Sequence, residues 1–179
     1  LTDSLQATII RVPPEGGSFD PRGWGLALAT LGTVTLFVGT AQALKQNDGK
    51  RLLAYSSIGQ VGYILFAAGM ALYLQKSAQP AGQALALLAL IGALYHVLNH
   101  AIFKGLLFLS SGSVLYATGS KDLSRLGGLA SVLPLTAAAT AIASLAISGL
   151  PPLSGFASKW TIVSTALLSG SGALVLFGI

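Results

Sequence analysis

Long apolar runs separated by short polar stretches set the outline of this 179-residue chain. Apolar runs of about twenty residues match a hydrocarbon core about 30 Å thick, so each is read as a transmembrane helix. The first covers 25–44, and its threonines can bond back to the helix backbone. A charged stretch follows, and the second run, 52–74, holds no charged residue. After a polar connection at 75–83 the third run, 84–116, is 33 residues long. At about 1.5 Å per residue it would reach roughly 50 Å, so this helix must tilt, protrude or break. The last run begins at 133–148, is interrupted over 149–155 and resumes at 156–168. Pro151 and Pro152 remove two backbone donors at that interruption, and Gly155 closes it. Residues 1–24 are turn-rich and read as a connection, with the tail of an earlier helix at 5–12. A new apolar run starts at 173–179, and the chain reads as a segment cut at both ends from a longer membrane subunit. The expected fold is all-α: a polytopic transmembrane helix bundle over 25–179 with one discontinuous helix, broken at Pro-Pro.

Composition agrees. The chain is 53% hydrophobic and 8% charged, with mean hydropathy +0.75. A soluble domain carries about 25% charged residues, so lipid must be this chain's main solvent. The net charge of +5 is spread singly over connections, with no basic stripe, so nucleic acid is not an expected partner. Without cysteine, thiolate metal sites and Cys-ligated clusters are excluded from this segment. Outside the spans, Lys45, Lys50, Arg51, Lys121 and Arg125 fall on one side, and Arg11, Arg22 and Lys76 on the other. Five against three places the first-to-second and third-to-fourth connections in the cytoplasm.

The informative residues are the ionisable ones inside the runs. An ionised group at the centre of a span costs at least about 2.5–3.5 kcal/mol on insertion scales, so it is rarely there without a task. His96, His100 and Lys104 recur every four residues and share one helix face, with Asn99 beside them. Lys159 follows the double-proline break, in the first turn of the resumed helix. Histidine exchanges protons near neutral pH unaided, and a lysine does so where burial makes its charged form costly. A helix N-terminus also disfavours an ammonium beside it. Broken helices at membrane depth line hydrated cavities or ion paths. Lys159, Lys104, His100 and His96 are therefore expected to transfer protons through ordered water. Asp48, Lys50 and Arg51 read equally well as a solvated loop that sets topology. Scattered glycines read as helix-packing contacts. Tyr55, Tyr63 and Tyr95 fit either packing or a water path.

Other classes are weighed against this. A haem-binding subunit would need His96 and His100 as ligands, but four residues apart on one face they cannot clasp both sides of one haem. No intramembrane hydrolase box such as HExxH is present, and every acidic residue lies outside the spans. A purely structural membrane subunit leaves the burial of Lys104 and Lys159 unexplained.

The words KRLLAYSSIGQVGY, YHVLNHAIFKGLLFLSSG, LGGL and LAISGLPPLSGFASKW occur in this order. Together, over about 25–168, they resemble the antiporter-like proton-conducting subunits shared by respiratory complex I, energy-converting membrane-bound hydrogenases and Mrp-type cation/proton antiporters. The second and fourth words look closer to the hydrogenase and Mrp-type members. The resemblance implies an inverted-repeat transporter fold, of which this chain is most of the second repeat. It implies that Lys159 matches the broken-helix lysine, that Lys104, His96 and His100 match the preceding long helix, and that Asp48, Lys50 and Arg51 match a charged coupling loop. It also implies a prokaryotic cytoplasmic membrane, lipid and other integral membrane subunits as partners, and no cofactor in this segment. The cargo would be protons, with sodium left open, and the parent would be a redox-driven or antiporting translocase.

Overall fold

A computed structural model describes residues 20–178, with side chains to Leu176. The expected helix tail at 5–12 lies outside the described residues. Seven α-helices and one 3₁₀ turn are described. Helix α1 (Pro21–Leu44) opens on Pro21, and the Asp20 carboxylate caps it by accepting from the Arg22 and Gly23 amides. The cap adds four residues to the span expected from 25. Helix α2 (Gly49–Gln75) is capped in the same way by Asp48. Helix α3 (Pro80–Thr118) runs 39 residues without interruption, about 58 Å, and stops at left-handed Gly119. Of the outcomes open to the long third run, a local break is not the one found. After the 3₁₀ turn (Leu123–Arg125) and the single turn α4 (Leu129–Val132), α5 (Pro134–Ser148) and α6 (Ser154–Leu168) form the interrupted span. Helix α7 (Gly172–Gly178) follows. Helices α1, α2 and α3 are each long and apolar enough to cross a membrane.

Helix α1 lies along α2 with almost no side-chain layer between them. A Cβ on Gly32 would sit 2.8 Å from the Gly62 carbonyl oxygen, and one on Gly62 would sit 2.6 Å from the Gly32 oxygen. Gly25 and Gly69 form the same reciprocal pair seven residues along each helix. The glycines expected to pack helices therefore make a backbone-to-backbone seam, which suits a solvent where apolar burial drives no association.

Helix α3 is the hub, packed on α2, α5 and α6. Its apolar contacts form two clusters. One joins Phe66, Met70, Ala89, Ala93 and Ile162, and the other joins Leu53, Phe103, Leu107, Ala143 and Ala146. A polar layer lies between the two, at the level of the α5–α6 break. The connections at 45–48 and 119–128 meet at one end of the bundle. There the Gly49 amide donates to the Lys121 carbonyl at 3.0 Å and the Leu123 amide to the Asn47 carbonyl at 2.8 Å.

Candidate functional site at the helix break

The break is built from local chemistry. Helix α5 ends on Gly149 at φ 83°, whose amide bonds back to the Ala146 carbonyl at 3.1 Å. Pro151 and Pro152 carry no amide hydrogen, so the chain cannot continue the α5 ladder. Helix α6 then starts at Ser154. Gly155 passes so close to the Ala146 carbonyl oxygen that any Cβ would overlap it. Opposite, the Asn99 amide donates to the Ser154 carbonyl at 3.0 Å, tying the start of α6 to α3.

Lys159 is the sixth residue of α6, so it stands in the second turn, not the first. Its side chain runs back across the break. Nζ donates to the Ile147 carbonyl of α5 at 2.6 Å and lies 5.0 Å from the Tyr63 ring centroid. Ile147 is the penultimate residue of α5, where carbonyls lack helical partners and the helix carries partial negative charge. The ammonium therefore faces the favourable end of one half-helix, and the expected influence of the α6 N-terminus is not what its position expresses. The π-face of Tyr63 adds a second attraction.

His96 is fully buried. Its Nδ1 lies 2.9 Å from Ser158 Oγ and its Nε2 lies 3.2 Å from Gln60 Oε1. The amide oxygen only accepts, so Nε2 carries a proton and neutral His96 accepts from the Ser158 hydroxyl. When His96 takes a second proton, Nδ1 becomes the donor, and Ser158 can turn its hydroxyl to the Gly155 carbonyl at 3.2 Å. No heavy atom needs to move. Both ring nitrogens are thus hydrogen-bonded.

Lys104, also buried, donates to the Leu53 carbonyl at 2.8 Å and to the Ser56 hydroxyl. His100 stands apart. It is half-buried, packs edge-on against Phe103 and bonds to none of the other three. Its Nε2 is buried without a partner, a cost that a water molecule would remove.

A cavity of about 480 Å³ lies beside this layer, with Lys159, Tyr63, Gln60 and Ser56 in its wall. It touches Lys159 directly, Lys104 through Ser56 and His96 through Gln60. Among the described residues no carboxylate borders it. The expected stripe on α3 is therefore completed by a second one on α2. Ser56, Gln60 and Tyr63 recur at positions i, i+4 and i+7 of a span without charge. That spacing was the available signal for residues that charge alone does not reveal. Among the described residues, no group of three or more His, Cys, Asp or Glu side chains could hold a metal ion.

Asp48, Lys50 and Arg51 lie away from this layer, at the loop end. Asp48 accepts from the Lys50 and Arg51 amides at 2.9 and 3.2 Å and pairs with Lys121 at 3.2 Å. The Arg51 amide, joined by Lys121, holds the Asp48 carboxyl below the usual carboxylate range against a weaker effect of desolvation. The Ser124 hydroxyl and amide do the same for Asp122.

These features can be set beside known proteins. Residues 18–179 match the family model described as NADH:quinone oxidoreductase/Mrp antiporter, TM. Formate hydrogenlyase subunit 3 of Escherichia coli (strain K12) is 42% identical over 160 residues, covering 89% of this chain and 26% of that protein. One Na(+)/H(+) antiporter subunit of Alkalihalophilus pseudofirmus (strain ATCC BAA-2126 / JCM 17055 / OF4) is 39% identical over 148 residues, covering 81% of this chain and 18% of that one. A chain of the membrane-bound sulfane sulfur reductase, an archaeal respiratory membrane complex, superposes with TM-score 0.70 at 38% identity, over 86% of this chain and 23% of its own. The chain thus spans about a quarter or less of the length of the relatives it matches. With interrupted helix, long hub helix and sequence all in agreement, this integral membrane chain belongs to the NADH:quinone oxidoreductase/Mrp antiporter transmembrane family.

Proposed function

We propose that this chain carries protons within a larger membrane complex, through Lys159, Lys104, His96 and His100 joined by water. One observation carries the reading: a single cavity borders Lys159 and the hydrogen-bond partners of both Lys104 and His96. Lys159, Lys104 and His96 are hydrogen-bonded to neutral groups only, and no charged group is bonded to His100 among the described residues. Their charges are therefore not locked by a permanent counter-ion, and proton gain and loss stay accessible at all of them. A sodium ion would need several oxygen ligands, and without a carboxylate in the wall the Lys159 ammonium would repel it. Protons are accordingly the proposed cargo. By name the relatives are subunits of a formate hydrogenlyase and of a Na(+)/H(+) antiporter and a chain of a respiratory membrane complex, so the partners proposed here are other integral membrane subunits in a prokaryotic cytoplasmic membrane. The driving reaction belongs to those partners.

The test is Lys159→Ala in the full-length protein within its complex, with proton uptake followed in sealed vesicles. Loss of uptake by about a hundredfold or more, at normal assembly, supports the reading. Uptake at the parental rate removes it.

A further inference from the structure

Neither Lys104 nor His96 borders the cavity of Lys159. A side chain of α2 stands between each of them and that space: Ser56 before Lys104, and Gln60, one turn further on, before His96. The two screens differ in kind. A hydroxyl can take a proton on a lone pair and give up its own, so Ser56 passes charge without moving. A neutral amide has its acceptor at one end and its donors at the other, and carries no proton across. His96 has little else to turn to. The Tyr63 and Phe103 rings lie at centroid distances of 5.6 and 6.4 Å from the imidazole, and its other nitrogen meets Ser158, itself fully buried.

Gln60 is only half used. Its Oε1 faces His96 Nε2 at 3.2 Å, whereas its amide nitrogen has no partner among the described residues. Other glutamines here spend that nitrogen on a backbone carbonyl, as Gln46 does on Gln42 and Gln83 on Ser77. The Gln60 nitrogen is not sealed in the interior either, because Gln60 stands in the cavity wall. An amide tethered only at its oxygen can turn about its last torsion, which is broad and roughly two-fold, and present its nitrogen instead.

Resting on the proton-carrying reading above, we propose that Gln60 is the positioning residue that governs proton exchange between His96 and the cavity of Lys159, its amide turning over each time Nε2 gains or loses a proton there. With Oε1 inward, the amide holds the Nε2 proton and leaves Nδ1 as the basic nitrogen, facing Ser158. Once Nδ1 is protonated as well, the ring bears an N–H at both ends. The amide then swings aside, a cavity water takes the Nε2 proton, and the electron pair stays on the ring. The turned amide donates an N–H to the bare Nε2. At the other end Nδ1–H is received by Ser158, whose hydroxyl has the Gly155 carbonyl within 3.2 Å. The reverse order of events loads the ring again. Each protonation form of Nε2 thus has a partner of the right sense, and the same side chain supplies both.

The test uses the full-length protein in its complex, in sealed vesicles. Gln60→Met keeps the length and bulk of the side chain but neither accepts from Nε2 nor donates to it, and it excludes water. Proton uptake is expected to fall about tenfold or more. Gln60→Ser leaves a gap, and water filling it can serve Nε2 in both senses, so uptake is expected to stay within about threefold of the parent. A merely structural glutamine gives the opposite order, because Met preserves packing and Ser does not. Parental uptake in Gln60→Met, or a loss in Gln60→Ser as deep as in Gln60→Met, overturns the proposal. Where either variant does not assemble, Gln60→Leu and Gln60→Thr replace Met and Ser and are read in the same way. A second readout is the ring itself, observed by nitrogen-15 magnetic resonance of labelled histidine and assigned by difference from His96→Leu. Gln60→Met is expected to move the proton of the neutral ring from Nε2 to Nδ1, and an unchanged ring overturns the proposal. The two readings separate: uptake abolished by Lys159→Ala but parental in Gln60→Met retires the role of Gln60 alone, whereas parental uptake in Lys159→Ala retires both.

Discussion

The α1–α2 pair and the region around the α5–α6 break face the same difficulty by opposite means. Neither can rely on water to satisfy backbone groups or on apolar burial to hold helices together. Along the seam α1 and α2 run unbroken, and glycines strip away side chains until the two backbones touch. Around the break the ladder is interrupted, and side chains from elsewhere complete it: Lys159 on Ile147 and Asn99 on Ser154. The first arrangement has no room for a water molecule and nothing that titrates. The second is built of groups that can change charge. The two means meet on α2, which gives Gly62 and Gly69 to the seam and Ser56, Gln60 and Tyr63 to the cavity of Lys159.

Four substitutions test that division, beginning with the largest effect. Gly62→Leu places a branched side chain against the α1 backbone. The seam has no flexible neighbour to yield, so the subunit is expected to be nearly absent from assembled complexes by native gel electrophoresis. Normal assembly would show that the seam is not what holds the pair. Next is Lys159→Arg, which keeps the positive charge but cannot give up a proton. Proton uptake should fall as far as in Lys159→Ala, with assembly intact, and uptake near the parental rate would reduce Lys159 to a tether. Ser158→Ala should slow uptake by roughly tenfold, because it removes the hydroxyl that serves either protonation form of His96. An unchanged rate would place His96 off the path. The smallest effect is expected of Asp48→Asn, which weakens a cap and an ion pair at the surface. It should lower the thermal midpoint slightly and leave the α1–α2 seam intact. The same clasp has a pH signature. The Asp48 carboxyl sits below its ordinary 3.8, so its stabilisation is present above that value and is lost as pH falls further. Protection of the Gly49 and Leu123 amides, taken relative to intrinsic exchange at the same pH, should then fall on acidification below that range and stay flat from neutral pH upward.

Much of this was legible in the sequence, and the parts that were not share a cause. Hydrophobic run length located α1, α2, α3 and the interrupted span, because length against bilayer thickness is a one-dimensional property. The helix ends were missed by a few residues where Asp20 and Asp48 act as caps, since a short polar residue before a span also reads as loop. Lys104, His96 and Lys159 were visible because an ionisable residue in an apolar run is conspicuous. The direction of Lys159 was not visible. Its position after the break pointed to the α6 N-terminus, whereas a long side chain can reach backward to the α5 carbonyls. Gln60, Ser56 and Ser158 were passed over because uncharged polar residues are common in spans, and only the third dimension shows what they face. His100 shares the stripe's periodicity but not its hydrogen bonds, so spacing alone overstated its equivalence to His96.

The reach of Lys159 across the gap has a mechanical corollary. One amine stitches together two stubs of an interrupted rod, so stripping its proton slackens the stitch at the same instant. Charge and shape are thereby yoked at a single atom. On the proton-carrying role proposed above, a membrane subunit docked against either stub would feel each protonation as a tug.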